Sequence, residues 1–209
     1  MPCIGILAYG SLITDPGYEI ASAANLDDSG ELQKVQFETS FNVEYARLSK
    51  SRNEAPTLVP VPSDIGSRVN GTIIGLRSKV TMQDAMDILY RRELDRVGDL
   101  SRGYDDGEQR KKDDAVVIDR IEDHTEFDVL IYAFLKPTPV LLAVLRDSNL
   151  STASKGQHLA QAAYSSLNND TYFRCRDGVR YFADAIRYGI ETFLTGSYKQ
   201  AILEMAAVH

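Results

Sequence analysis

The chain opens on a short continuous apolar run, Cys3-Ile4-Gly5-Ile6-Leu7-Ala8, that stops at Tyr9-Gly10-Ser11. A run of this length closed by a turn residue predicts a buried strand. Asp15-Pro16-Gly17 marks a turn soon after it. Residues 18–27 read as a short helix or a loop. Val35, Phe37, Phe41, Val43 and Tyr45 then fall on odd positions with mostly polar residues between them. That period of two predicts one or two half-buried strands. Thr57 to Val61 is a further strand, and the prolines at 56, 60 and 62 place it at a sheet edge. Val69 to Leu76 is another, and its interior Gly71 and Gly75 suggest a bulge or a sharp barrel corner.

At Thr81 the spacing becomes helical and stays so to about Val97. Thr81 suits an N-cap, and Asp84 three residues on completes a box-like start. Gly98 to Asp114 is dense in charge and reads as a long loop. Ala115–Ile121 and Phe127–Leu135 return to strand character, and Pro137 with Pro139 closes that part. From about Lys155 the chain is helical. The clearest stripe there is Val179, Phe182, Ala183, Ile186, Ile190 and Phe193, with a break at Thr195-Gly196-Ser197. Strands, one central helix, more strands and then helices make an α+β protein. The expected architecture is a small curled sheet or mixed β-barrel surrounded by helices. It is read as a single domain, 1–209, with a core over about 1–140 and a helical C-terminal extension over about 141–209.

Composition narrows the function. The chain has 209 residues, enough to bury a core without staples. Its formal net charge of −7 argues against a nucleic-acid binder and against docking on an anionic membrane. Cys3 and Cys175 are too few for a disulfide framework, and Cys3 reads as a small buried hydrophobe. There is no secretory signal pattern at the start and no apolar run approaching ~18 residues. A cytoplasmic location is expected.

Two features carry chemistry. The first is Tyr9-Gly10-Ser11-Leu12. A glycine directly after a buried strand lets the backbone turn and approach a ligand, and successive amides in such a turn form an anion-binding nest. An ordinary strand-to-loop turn accounts for the same four residues. The second is Glu93. Met82, Met86 and Leu89 make an apolar stripe, and Glu93 is its next member, where the pattern calls for leucine. A carboxyl group placed there either finds a partner or has the environment that general acid/base work needs. Arg92 or Arg96 would supply the partner, so an ion pair and a catalytic group both remain open.

Taken in order, these segments resemble the γ-glutamylcyclotransferase superfamily. A first strand ending in Tyr-Gly-Ser-Leu resembles its opening, and Leu89-Tyr90-Arg91-Arg92-Glu93 is similar to the Tyr-Arg-Glu stretch of its ChaC-like branch. Tyr45-Ala46-Arg47-Leu48 with Pro56-Thr57-Leu58-Val59-Pro60 resembles the arginine-bearing strand and the segment after it. Val69 to Leu76 resembles the strand before the catalytic helix. The likeness covers about residues 4–135. It departs in the extra arginine at 92, in Arg102-Gly103-Tyr104 standing further from Glu93 than the family's Gly-Gly-Tyr, and in a helical tail without a counterpart after about residue 140.

The resemblance implies cyclisation of a γ-glutamyl amide to 5-oxoproline with release of the amine, and no metal or cofactor. Glu93 would be the catalytic acid/base. Tyr9, Gly10, Ser11, Leu12, Arg47 and Tyr104 would bind the substrate. A non-catalytic binder of γ-glutamyl or amino-acid ligands on the same fold is the alternative. The C-terminal helices would cap the barrel, shape the leaving-group side or form a homodimer face. Two rivals come from the residues themselves. Ser11 with His158 would suit a serine hydrolase, but the second glycine of a nucleophile elbow is missing. His124, His158 and His209 show no metal-ligand spacing.

Overall fold

The computed structural model describes residues 2–122, 124–167 and 177–207, so Cys175 and His209 lie outside the described residues. The chain forms two compact units, each assembled from two stretches of sequence: Met1–Glu38 with Asn70–Lys136, and Thr39–Val69 with Pro137–His209.

The first unit is built on a five-stranded sheet of order β2-β5-β1-β7-β6. β1 (Ile4–Ala8) is central and every residue in it is buried, which is why its sequence is an uninterrupted apolar run. It pairs antiparallel with β5 (Asn70–Gly75) and parallel with β7 (Val129–Phe134), with Ile6 opposite both Ile74 and Ile131. β2 (Lys34–Glu38) and β6 (Val117–Glu122) are the outer strands. Among the described residues no pairing joins β2 to β6. The barrel expected from the sequence is therefore an open mixed sheet in this unit, and the α+β class stands. Gly71 lies within regular β2–β5 pairing rather than at a bulge. A Cβ there would sit 2.9 Å from the Ala8 carbonyl oxygen, so glycine serves close strand approach.

Helix α1 (Gly17–Ala23) settles the helix-or-loop reading of 18–27 in favour of a short helix. α2 (Met82–Glu93) begins as expected: the Thr81 hydroxyl accepts from the Asp84 amide, and the Asp84 carboxylate accepts from the Thr81 amide. It ends four residues sooner than the periodicity suggests, with Asp95 in the left-handed region at φ 57°. Its Met86 and Leu89 join Ile4, Ile6, Leu12 and Ile131 in one apolar core. The charged segment after it is not wholly loop, because Asp106–Gln109 forms one helical turn, α3, capped by the Asp105 side chain.

The second unit holds a two-stranded antiparallel sheet, β3 (Asn42–Ser49) with β4 (Ala55–Val61), whose register shifts between Tyr45 and Arg47. Four helices are described here: α4 (Pro139–Arg146), α5 (Thr152–Ser165), α6 (Gly178–Arg187) and α7 (Thr195–Ala206). α4 was not anticipated. Pro139 reads as a breaker in sequence but occupies the first turn, where a missing N–H costs nothing. The Thr138 hydroxyl accepts from the Leu48 amide and ties the start of α4 to β3. Tyr45, Phe182 and Tyr198 make the aromatic centre, with ring centroids 4.2–5.6 Å apart. No described helix is long and apolar enough to cross a membrane.

Candidate active site

The strand β1 delivers the chain to Tyr9 and then turns at once. Gly10 has φ 75°, a conformation that costs an L-residue roughly 1–2 kcal/mol, so the glycine is required by the turn itself. Gly10–Ile13 forms a single 3-10 turn. The amides that open such a turn have no acceptor within it and point away from its body. The Ser11 carbonyl accepts from the Thr14 amide, the Thr14 hydroxyl and, at 3.1 Å, the Asp15 amide. The Leu12 side chain is buried in the core, so only its main chain is left to face a ligand. The Tyr9 hydroxyl donates to the Ala133 carbonyl at 3.0 Å, which fixes the tyrosine against the end of β7.

Glu93 is the last residue of α2, and its side chain is 27% exposed. The stripe that carries it leaves the core there because the helix stops. The carboxylate is partnered: Arg92 Nη1 donates to Glu93 Oε1 at 2.7 Å. The same guanidinium donates from Nε and Nη2 to the Asp15 carbonyl at 3.0 and 2.6 Å. A bonded path thus runs from Ser11 through Asp15 and Arg92 to Glu93. The first-strand turn and the end of α2 are joined by these bonds within the first unit.

α2 carries a second ion pair two residues before Glu93. Arg91 is buried and grips the Glu19 carboxylate of α1 with Nε and Nη2, the shortest bond being 2.7 Å. Arg91 Nη1 also donates to the Arg102 carbonyl, and the Gly98 amide donates to Glu19. The Arg91 hydrogen bond holds the Glu19 carboxyl below its usual range, and burial only partly opposes it. Partners 72 residues apart leave no spacing to find in a sequence. The one available signal was a second arginine two residues before the candidate carboxylate.

The remaining candidates fall in different surroundings. Tyr104 is buried with its ring edge-on to Tyr90, the centroids 5.5 Å apart. Its hydroxyl donates to Asp106 at 2.8 Å and accepts from the Ile118 amide at 2.9 Å. Burial pushes this phenol up to about 12. These contacts fasten the segment after α2 onto β6. Arg47 is buried on β3 in the second unit, and the Thr57 hydroxyl donates to its carbonyl. His158 is exposed on α5 of that unit. Among the described residues, no group of three or more His, Cys, Asp or Glu is arranged to hold a metal ion. Cys3 is exposed just before β1, not buried, and its amide donates to the Asp128 carboxylate at 2.6 Å. The apolar run reaches the sheet only at Ile4.

No protein-family model and no curated protein matches the chain. Among solved structures, the chain is similar to a yeast γ-glutamyl cyclotransferase specific to glutathione. The two share a TM-score of 0.52 at 10% sequence identity, over 97% of this chain and 99% of that one. The chain therefore has the cyclotransferase fold. That coverage extends beyond residue 140, so the helical tail that found no counterpart in sequence does have one in structure.

Proposed function

We propose that this protein cyclises a γ-glutamyl amide to 5-oxoproline and releases the amine, with Glu93 as the proton carrier. The observation that supports it most is the bonded path from the Gly10 turn to the Glu93 carboxylate within one compact unit. The shared fold adds to it.

The chemistry follows from the groups present. The substrate brings its own nucleophile, the α-amino group. Glu93 takes a proton from the ammonium, and the freed nitrogen attacks the γ-carbonyl carbon. The oxyanion that forms needs donors preorganised where the charge develops, which the first amides of the Gly10–Ile13 turn would supply. The bond to the leaving amine then breaks as Glu93 returns that proton to its nitrogen, and the ring nitrogen gives its remaining extra proton to the released amine, which leaves as an ammonium. Five-membered ring closure needs a folded substrate, and holding that conformer lowers the barrier by orientation. Tyr104 remains a candidate substrate contact on the strength of the resemblance.

The test is a turnover screen over γ-glutamyl compounds, with glutathione included because the yeast protein is specific to it. The readout is 5-oxoproline. Glu93→Gln is expected to lower turnover by at least ~10²-fold, the contribution of a positioned acid/base group, with no change in the melting transition. Full activity in a folded Glu93→Gln protein removes the assignment. A binding protein on the same fold is the second reading, favoured by the partner that Glu93 already has in Arg92. Calorimetric binding of 5-oxoproline without any turnover would select it.

A further inference from the structure

We infer that Arg92 is a positioning residue for the proposed reaction, clamping the Glu93 carboxylate in register with the Gly10 turn. The inference rests on the reading of Glu93 as the proton carrier. Neighbouring residues on a helix do not face each other, so a direct Arg92–Glu93 bond needs the arginine drawn sideways. The Asp15 carbonyl does this by taking both Nε and Nη2 and leaving Nη1 directed at Glu93 Oε1. The arginine stem passes close to the Gly17 backbone, where a Cβ would lie 3.4 Å from Arg92 Cγ. The Arg92 side chain is 13% exposed, less than the carboxylate it holds.

A fully exposed pair of this kind is worth about 0–1 kcal/mol to stability, and this one is only partly exposed. The geometry is more demanding than a surface pair requires. Three N–H groups of one planar fork tie the end of α2 to the loop at Asp15, and the Asp15 amide returns the connection to Ser11. A lysine would carry the charge but could not reproduce that fork. What the arginine fixes is where the Glu93 oxygens stand relative to the turn. A displacement of that order costs about 10²-fold in rate.

The experiment compares wild type, Glu93→Gln, Arg92→Lys and Arg92→Ala in the 5-oxoproline assay, with melting curves for each. Arg92→Ala is expected to lose about 10²-fold in kcat while KM stays within about threefold, because ground-state binding is untouched. Arg92→Lys should recover only part of the loss. Added methylguanidine should raise kcat in Arg92→Ala and leave wild type unchanged, a response that a merely structural arginine would not give. If Glu93→Gln is dead and Arg92→Ala turns over within about threefold of wild type, the clamp is wrong and the cyclotransferase reading survives. A loss in Arg92→Ala that methylguanidine does not restore, matched by a fall in melting temperature, also overturns the clamp. If wild type forms no 5-oxoproline from any γ-glutamyl compound, the underlying reading fails and the clamp falls with it.

Discussion

At the scale of single residues, the site divides main-chain from side-chain work. Leu12 gives its side chain to the core and Tyr9 gives its hydroxyl to β7, so the turn offers a ligand chiefly its amides. Ser11→Ala should therefore reduce turnover much less than Glu93→Gln, which parallel steady-state assays would show. Equal losses in the two variants would point instead to covalent chemistry at Ser11. The Glu19–Arg91 pair is a different kind of contact. Both side chains are largely out of water, and the arginine is bound at three nitrogens. Glu19→Gln leaves the guanidinium short of a counter-charge. It is expected to cost about 2 kcal/mol, between the values for exposed and buried pairs, read as a lower urea midpoint.

At the scale of elements, two glycines decide whether neighbouring segments fit. Gly10 holds the left-handed turn between β1 and the 3-10 segment, and Gly10→Ala should both strain the fold and misplace the amides. Gly156 lies where α5 meets α7, and a Cβ there would stand 2.6 Å from the Ser197 carbonyl carbon. Backbone cannot yield as a flexible side chain can, so Gly156→Ala is expected to destabilise by about 1–3 kcal/mol in thermal or urea unfolding. β1 and the start of α2 were legible because local rules dominate them: an apolar run and a capping box. α4 was not, because the first turn of a helix and a loop both accept proline. Glu93 was legible as an anomaly in a stripe, but its partner was ambiguous between Arg92 and Arg96. The Asp15 carbonyl that favours Arg92 comes from the loop before α1, 77 residues away in sequence.

At the scale of the whole chain, two carboxylates give opposite pH dependence. The Glu19 carboxyl titrates below its unfolded range because of Arg91. Its stabilisation is present above about pH 4.3, the unfolded value, and is lost as pH falls through the folded one. Glu44 in the second unit is fully buried. Its carboxylate accepts from the Thr192 hydroxyl at 2.6 Å and from the Tyr45 and Leu194 amides. Desolvation outweighs those bonds and raises its range. Its contribution is complete at low pH and is lost as pH rises through the folded value. Urea titrations from acid to neutral pH should show the stability gap between wild type and Glu19→Gln widening. The gap between wild type and Glu44→Gln should shift against wild type over the same range.

The amino-acid order alone determined the strand and helix segments whose periodicity is local, the α+β class they add up to, and the two places where polar chemistry interrupts apolar pattern. Each depends on residues within a few positions of one another, where steric preference and burial act directly on the backbone. The tertiary structure decided the rest. It alone set the open order of the five strands, the division of the chain into two interleaved units, the seating of Arg91 on Glu19, and the bridge from Ser11 through Asp15 and Arg92 to Glu93. Those contacts join residues far apart in sequence, and their energy is available only after the chain has closed the loops between them.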